Sequence, residues 1–312
     1  MNRFSKVIKS LIPSIILILL LSAFSFPGFE STQSPAIPKQ DDGTTPAATV
    51  PAGVTKDEID TSLTSYLKMA WGDSLRLGIL ERPFTQTDME YHPETDLVGI
   101  MVSEDDTYYY FSLELNDVDG SVGYPSANYA VELDVDKDFK GDYLLWVSGD
   151  DSTEWNHADV NVLQDANKDV GGATPVIPDA GAGDGYETVV FSADVTDQAD
   201  LAWKRVDPDM PNVVQLAIKK TLLEPGQFYW KAWANGNMID VGQFDFNDFY
   251  SNAEAGSPDL DSADYPVNQL NLMDSTCWSA NGFQPQEMTG GCYKTPPQIK
   301  KKSAPAPEPE PS

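Results

Sequence analysis

Oxygen donors at alternate positions are the first chemistry this chain offers. Asp165, Asn167 and Asp169 stand at i, i+2 and i+4, followed by Val170, Gly171 and Gly172. Alternate residues of a tight loop turn their side chains inward, and Ca²⁺ accepts about six to eight oxygen donors of this kind. The glycine pair lets the backbone turn sharply. The loop is not an EF-hand: the glycine falls one place late, and Val176 stands where the bidentate glutamate belongs. The competing reading is an Asx-rich turn whose side chains accept local backbone N–H groups. Three oxygen side chains in step favour the metal. A second set comprises Asp134, Asp136, Asp138 and Asp142. Asp134 and Asp136 share the outward face of a strand and repel each other unless water or a cation lies between them. The two sets form one site, two sites or none; the spacing alone does not choose.

Aromatic side chains are the other chemistry on offer. The chain holds seven Trp and thirteen Tyr, enough to supply flat rings beyond the needs of a core. Sugars present C–H faces that stack on such rings. Tyr108, Tyr110, Trp146, Trp155 and Trp233 are the candidate ligand-binding residues, with core packing as the alternative for each. In the run Phe228 to Trp233, Tyr229 and Trp233 fall on the face opposite Phe228 and Trp230, so both pairs cannot share one core.

These residues need strands to hold them. Tyr129, Val131, Leu133 and Val135 alternate with Ala130, Glu132, Asp134 and Asp136, the period of a half-buried strand. An acidic turn follows, then Tyr143 to Val147, which predicts a hairpin. Upstream, Tyr109, Phe111, Leu113 and Leu115 share one face of a strand, and Tyr108, Tyr110, Ser112 and Glu114 share the other. Further strands are expected at residues 97–102, 160–163, 186–195, 213–219 and 228–234. Their connections lack the 3.6-residue period that crossover helices need, which predicts an all-β antiparallel sandwich. One short N-terminal helix is expected where Ile59, Leu63, Tyr66, Leu67 and Ala70 recur at helical spacing. Residues 241–276 read as an ordered, aromatic-rich loop laid on the sandwich.

Two stretches, Met101 to Phe111 and Tyr129 to Asp136, carry an acidic turn before an aromatic strand and a strand ending in an acidic pair. In this the chain resembles sandwich modules of the family 9 carbohydrate-binding and DOMON-like type over residues 80–240, and also exported bacterial proteins of unassigned activity. The resemblance implies a jelly-roll-like sandwich that binds a ligand, commonly a sugar, with calcium bracing its loops. The haem-binding branch of the DOMON-like set fits poorly, because His92 and His157 are the only histidines.

The ends and the charge set the compartment. Arg3, Lys6 and Lys9 precede an apolar run from Leu11 to Leu21, and Ala23 and Ser25 supply the small residues of a cleavage site. Residues 1–25 therefore read as a secretory signal rather than an anchor, and the chain as secreted or at the cell surface, with no stable membrane insertion after removal of the signal. Residues 26–55 read as a disordered linker, 56–298 as the sandwich domain with its C-terminal loop, and 299–312 as a Lys/Pro/Glu-rich disordered tail. Cys277 and Cys292 are the only cysteines, and in an oxidising compartment they predict a disulfide that pins that loop. The formal charge of −29 repels nucleic acid and favours cations.

No Gly-x-Ser-x-Gly, His-Glu-x-x-His or phosphate-cradling glycine loop occurs. The reading is a secreted, non-catalytic protein that recognises an extracellular glycan or surface polymer, with calcium as its cofactor. A glycoside hydrolase or other polysaccharide-active enzyme is the alternative, and a structural calcium-binding surface protein is a second.

Overall fold

The computed structural model describes residues 44–62, 81–86, 88–168, 170, 185–193, 200–236 and 271–283, all within one compact unit, Ile37–Ser312. In chain order the strands are β1 (Val54–Asp57), β2 (Glu81–Arg82), β3 (Leu97–Glu104), β4 (Tyr108–Leu115), β5 (Asn128–Asp134), β6 (Tyr143–Ser148) and β7 (Val160–Gln164). They continue as β8 (Thr188–Ser192), β9 (Ala202–Val206), β10 (Val213–Lys219), β11 (Phe228–Asn235), β12 (Met273–Ser275) and β13 (Ser279–Asn281).

The strands form two sheets. One runs β1-β3-β4-β10-β9; the other runs β2-β12-β11-β5-β6-β7-β8, with β13 also on β11. Every pairing among these strands is antiparallel. The fold is therefore all-β and antiparallel, as the strand spacing predicts. One core joins the sheets: Tyr109, Phe111, Leu113 and Leu115 of β4 meet Tyr129, Val131 and Leu133 of β5 and Phe228, Trp230 and Ala232 of β11. Tyr109 meets Phe228 edge-on at 5.1 Å between ring centroids, and Phe111 meets Trp230 at 6.1 Å. Each such side chain contributes on the order of 1.5–3 kcal/mol by leaving water. The alternation read from β4 and β11 is reproduced residue by residue.

The linker and the end of the aromatic-rich loop meet a different outcome, and other expectations fall outside the described residues. Residues 44–55 do not behave as a linker: they lie on the five-stranded sheet and lead into β1, which pairs with β3 from Val54↔Val102 to Asp57↔Gly99. Gly53 makes the turn into β1, and a Cβ there would sit 2.1 Å from the Val102 carbonyl oxygen. The expected helix falls largely on residues 63–80, outside the described residues. β1 ends at Asp57, the Glu58 N–H donates to the Val98 carbonyl at 3.0 Å, and Ser62 is helical. Cys277 is buried, whereas Cys292, the signal and the tail lie outside the described residues; of the expected loop at 241–276, residues 241–270 lie outside them and Met273–Ser275 form β12 instead.

Where β2, β3 and β12 come together, the fold buries a group of acids: Glu58, Glu81, Asp96 and Asp274. Asp274 accepts the Leu97 N–H at 2.6 Å, which ties β12 to β3 across the two sheets. Asp96 accepts from the Thr61 N–H at 3.2 Å and the Thr61 hydroxyl at 3.0 Å, and from the Tyr91 hydroxyl. Burial drives the Asp96 carboxyl up to about 6 in spite of these donors, with Asp60 adding repulsion. Burial also raises Glu81 and Asp274, each reinforced by the neighbouring carboxylates. A carboxyl raised in the folded state contributes stability that is complete below its unfolded value, 3.8 for Asp96, and is lost as pH rises through about 6. Asp105 and Asp119 are lowered instead, so their contribution is already in place above the unfolded value. The thermal midpoint is therefore expected to fall between about pH 4 and about pH 7, and Asp96→Asn to flatten that fall. Thermal unfolding followed by circular dichroism across this window checks it; a midpoint that rises, or an Asn variant with the wild-type slope, would contradict the burial argument.

Candidate functional site

Trp155 sits on the connection between β6 and β7, and contacts with β9 bring it to the outer face of the five-stranded sheet. Asn156 and Lys204 exchange both backbone hydrogen bonds at 3.0 Å, and the Val206 N–H donates to the Ser152 carbonyl at 2.7 Å. The connection is thereby stitched to β9. The Lys204 ammonium, buried, reaches the Ser148 carbonyl at 2.5 Å and the Asp150 carboxylate at 3.0 Å. Trp155 consequently stands beside Trp203 and Arg205, which point outward from β9.

These residues line a cleft of about 360 Å³. Its walls are Thr153, Glu154 and Trp155 on one side, Trp203, Arg205 and Pro208 on another, and Thr45, Pro46 and Ala48 on a third. The Arg205 guanidinium lies 4.4 Å from the centroid of the Trp155 ring. Its Nε donates to Gln215 Oε1 at 2.6 Å, and its other end donates to the Ala48 carbonyl at 3.0 Å. His157 packs against Trp203 at 3.6 Å between centroids and holds its own orientation through Nδ1 and the Ala202 carbonyl at 2.8 Å. Both tryptophans are half-buried, and both indole N–H groups are taken within the protein: Trp155 donates to the Ala47 carbonyl at 2.9 Å, and Trp203 to the Asp200 carbonyl at 3.2 Å. What the rings present to the cleft is apolar surface. Polar capacity comes from Arg205, Glu154 and the two threonines.

Of the five aromatic candidates, only Trp155 lines this cleft. Tyr108 and Tyr110 lie directly beneath it but are fully buried, because residues 44–50 cover the outward face of β4. Trp146 and Trp233 are also buried, on the far face of the other sheet. The Trp233 indole donates to Glu132 Oε2 at 2.6 Å, and the Tyr186 hydroxyl donates to Glu132 Oε1 at 2.7 Å. These four are thus packing residues with satisfied polar atoms. Trp203, Arg205 and residues 44–48 were not singled out by sequence. The outward position of Trp203 and Arg205 in an alternating strand was the only signal available for them.

The acidic sets meet at one end of the eight-stranded sheet. The Asp165 N–H donates to the Asp142 carbonyl at 3.1 Å, and the Lys168 ammonium lies between the Asp142 and Asp136 carboxylates, 3.4 Å from the latter. Asp165 accepts the N–H groups of Lys168 and Val170 at 2.7 and 2.9 Å, and Asp142 accepts those of Val135 and Asp136 at 2.7 and 3.1 Å. Both carboxylates thus cap turns, in the manner of Asx residues. Asn167 is exposed, and Asp169 lies outside the described residues. Among the described residues a metal-sized arrangement occurs at Asp134, Asp136 and Asp138, which bring carboxylate oxygens within 4.8 Å of one another. Asp134 is fully buried and accepts from the N–H groups of Lys137 at 2.5 Å and Phe139 at 2.7 Å. Burial pushes its carboxyl up to about 7 against the pull of those amides, and the Asp138 and Asp136 charges push the same way.

Among the described residues the cleft is lined by a single carboxylate, Glu154, whereas most glycoside hydrolases flank the bond they cut with two. No helix of the described residues is long and apolar enough to cross a membrane. Comparison with known families, characterised proteins and solved structures gives no match for this chain.

The clamp on the β6–β7 connection is testable. Lys204→Met is expected to cost about 1–3 kcal/mol and to open residues 149–159 to protease, since a buried charge-assisted contact to Ser148 and Asp150 is lost. Urea unfolding and limited proteolysis read both effects, and wild-type values in each would remove Lys204 from the account of how Trp155 is placed.

Proposed function

We propose that this chain is a secreted, non-catalytic binding protein for an extracellular glycan or surface polymer, built on a jelly-roll-like sandwich, with the cleft between Trp155 and Trp203 as its recognition site. The observation that carries this reading is the pairing of two half-buried indoles with a guanidinium and a carboxylate in one cleft. Apolar ring surface suits the C–H faces of a sugar, and Arg205 and Glu154 supply a donor and an acceptor for its hydroxyls. The single carboxylate favours recognition over hydrolysis. Rings on a rigid sheet lose little entropy on binding.

Retention on immobilised cellulose, xylan and chitin, and affinity for their soluble oligosaccharides, test the proposal. Trp155→Ala and Trp203→Ala are each expected to weaken binding about tenfold or more while the thermal midpoint shows the sandwich still folded. Binding that survives both substitutions would move recognition away from the cleft.

Calcium belongs to the proposal as a brace at Asp134, Asp136 and Asp138 rather than at the Asp165 loop. Three carboxylates would be joined there by main-chain carbonyls and water to complete about six to eight ligands. An ion that binds only the native state raises stability by about 2.7 kcal/mol at a hundredfold excess over Kd. The expected result is a higher thermal midpoint in calcium than in chelator, lost in Asp136→Asn or Asp138→Asn and kept in Asp165→Asn if that variant folds. Equal midpoints in calcium and chelator would leave Asp134 as a buried turn cap and Asp136 and Asp138 as solvated acids.

A further inference from the structure

The wall of the cleft formed by residues 44–48 differs from the other two. It is held by main-chain atoms, and each of its anchors is a side chain of the cleft or of its floor. The Thr44 carbonyl accepts from the Tyr108 hydroxyl at 2.5 Å. The Ala47 N–H donates to the Tyr110 hydroxyl at 2.9 Å, and the Ala47 carbonyl accepts from the Trp155 indole at 2.9 Å. The Ala48 carbonyl accepts from Arg205 at 3.0 Å. Tyr110 in turn donates to Asp105 at 2.5 Å, so the contact is anchored through to the β3–β4 turn.

Two consequences follow from this geometry. With the segment docked, Tyr108 and Tyr110 have no exposed surface, and the site is a walled cleft. With the segment lifted, the same face of the sheet would present Tyr108, Tyr110, Trp155 and Trp203 side by side, because these four already pack as one cluster with Ala47 and Val50 as its cover. A walled cleft admits a short ligand or a chain end; an open row of rings lies along an extended polymer.

We propose that residues 44–50 are the specificity-determining element of this site: a strap that selects short or terminal saccharide units and shields an aromatic platform from extended polymer. This rests on the glycan reading of the cleft and adds to it which form of glycan is taken. The strap acts by steric closure and by fixing Trp155 and Arg205, and it touches them through backbone atoms that any sequence could supply. Its side chains are therefore small, Thr-Thr-Pro-Ala-Ala-Thr-Val, as close approach to the sheet requires.

Ala47→Pro removes the N–H that anchors the strap to Tyr110 and leaves every side chain of the sheet in place. Tyr108→Phe with Tyr110→Phe is the second route; it keeps the rings and removes the hydroxyls that hold Thr44 and Ala47. In both variants, limited proteolysis is expected to cut within 44–50, and binding of soluble oligosaccharides of cellulose, xylan or chitin is expected to weaken about tenfold. Retention on the matching insoluble polysaccharide should hold or rise. Should strap release, seen as new proteolysis, leave the ratio of oligosaccharide to polymer binding at its wild-type value, the strap is packing only and the proposal falls while the glycan reading stands. Should wild-type protein bind neither form of any of the three, both fall together.

Discussion

The outer face of β4 imposes the constraint from which the site follows. A strand in a two-sheet sandwich turns one face to the core and the other to water. In β4 the second face carries Tyr108 and Tyr110, both fully buried. Two large rings cannot be left in water on a central strand without forfeiting on the order of 1.5–3 kcal/mol each. Their hydroxyls also need partners once covered. Residues 44–50 meet both demands with one stretch of backbone, and β1 then continues along β3 as the edge strand. The cleft lies against the margin of that cover, where it meets the β6–β7 connection and β9.

A chain this acidic must also dispose of its own charge. It does so in three ways, each legible in the hydrogen bonds. Some carboxylates cap turns: Asp134 gathers the N–H groups of Lys137 and Phe139, which lie at φ +67° and +70°, and so holds two non-glycine residues in left-handed geometry. Others meet a lysine, as Asp200 meets Lys219 in a buried pair and Asp150 meets Lys204. A third group, around Asp96 and Asp274, is held in a setting that favours the proton. The first two arrangements position loops. The third ties β12 to β3 and makes the fold pH-dependent.

The cleft is a product of loops and edges on a rigid frame, the usual place for recognition in such folds. Its three walls come from residues 44–48, 153–155 and 203–208, stretches separated by about a hundred residues and by fifty. What brings them together is specific: the Asn156–Lys204 bridge, the Lys204 ammonium under the connection, and the Arg205 guanidinium linking Trp155 to Ala48. None of these is a local interaction.

The strands β3 to β8, β10 and β11 were legible in the residues themselves. Alternation in Tyr108–Leu115 and Phe228–Asn235 names the side chains that enter the core, since period two is a property of the extended backbone and survives into the fold unchanged. The acidic turn after β5 was legible too, because a run with Asp136, Asp138, Gly141 and Asp142 has few alternatives to a turn. What alternation does not say is whether the second face meets water. Trp146 and Trp233 read as either ligand-facing rings or core and are buried, while residues 44–55 read as a linker and serve as the cover of a sheet. Composition reports local preference, and a run of Thr, Pro and Ala has almost none, so its structure is decided by what it docks on. Metal geometry follows the same rule. The i, i+2, i+4 spacing occurs at Asp165 and again at Asp134, Asp136 and Asp138, and spacing alone does not say that the oxygens of the second trio converge within 4.8 Å. Sequence alone determined β3 to β8, β10 and β11, the inward faces of β4, β5 and β11, and the acidic turn after β5, because these depend on neighbours along the chain. Burial of the outward faces and the joining of three distant segments into one cleft were decided by tertiary structure, because both depend on surfaces that meet only when the sheets have packed.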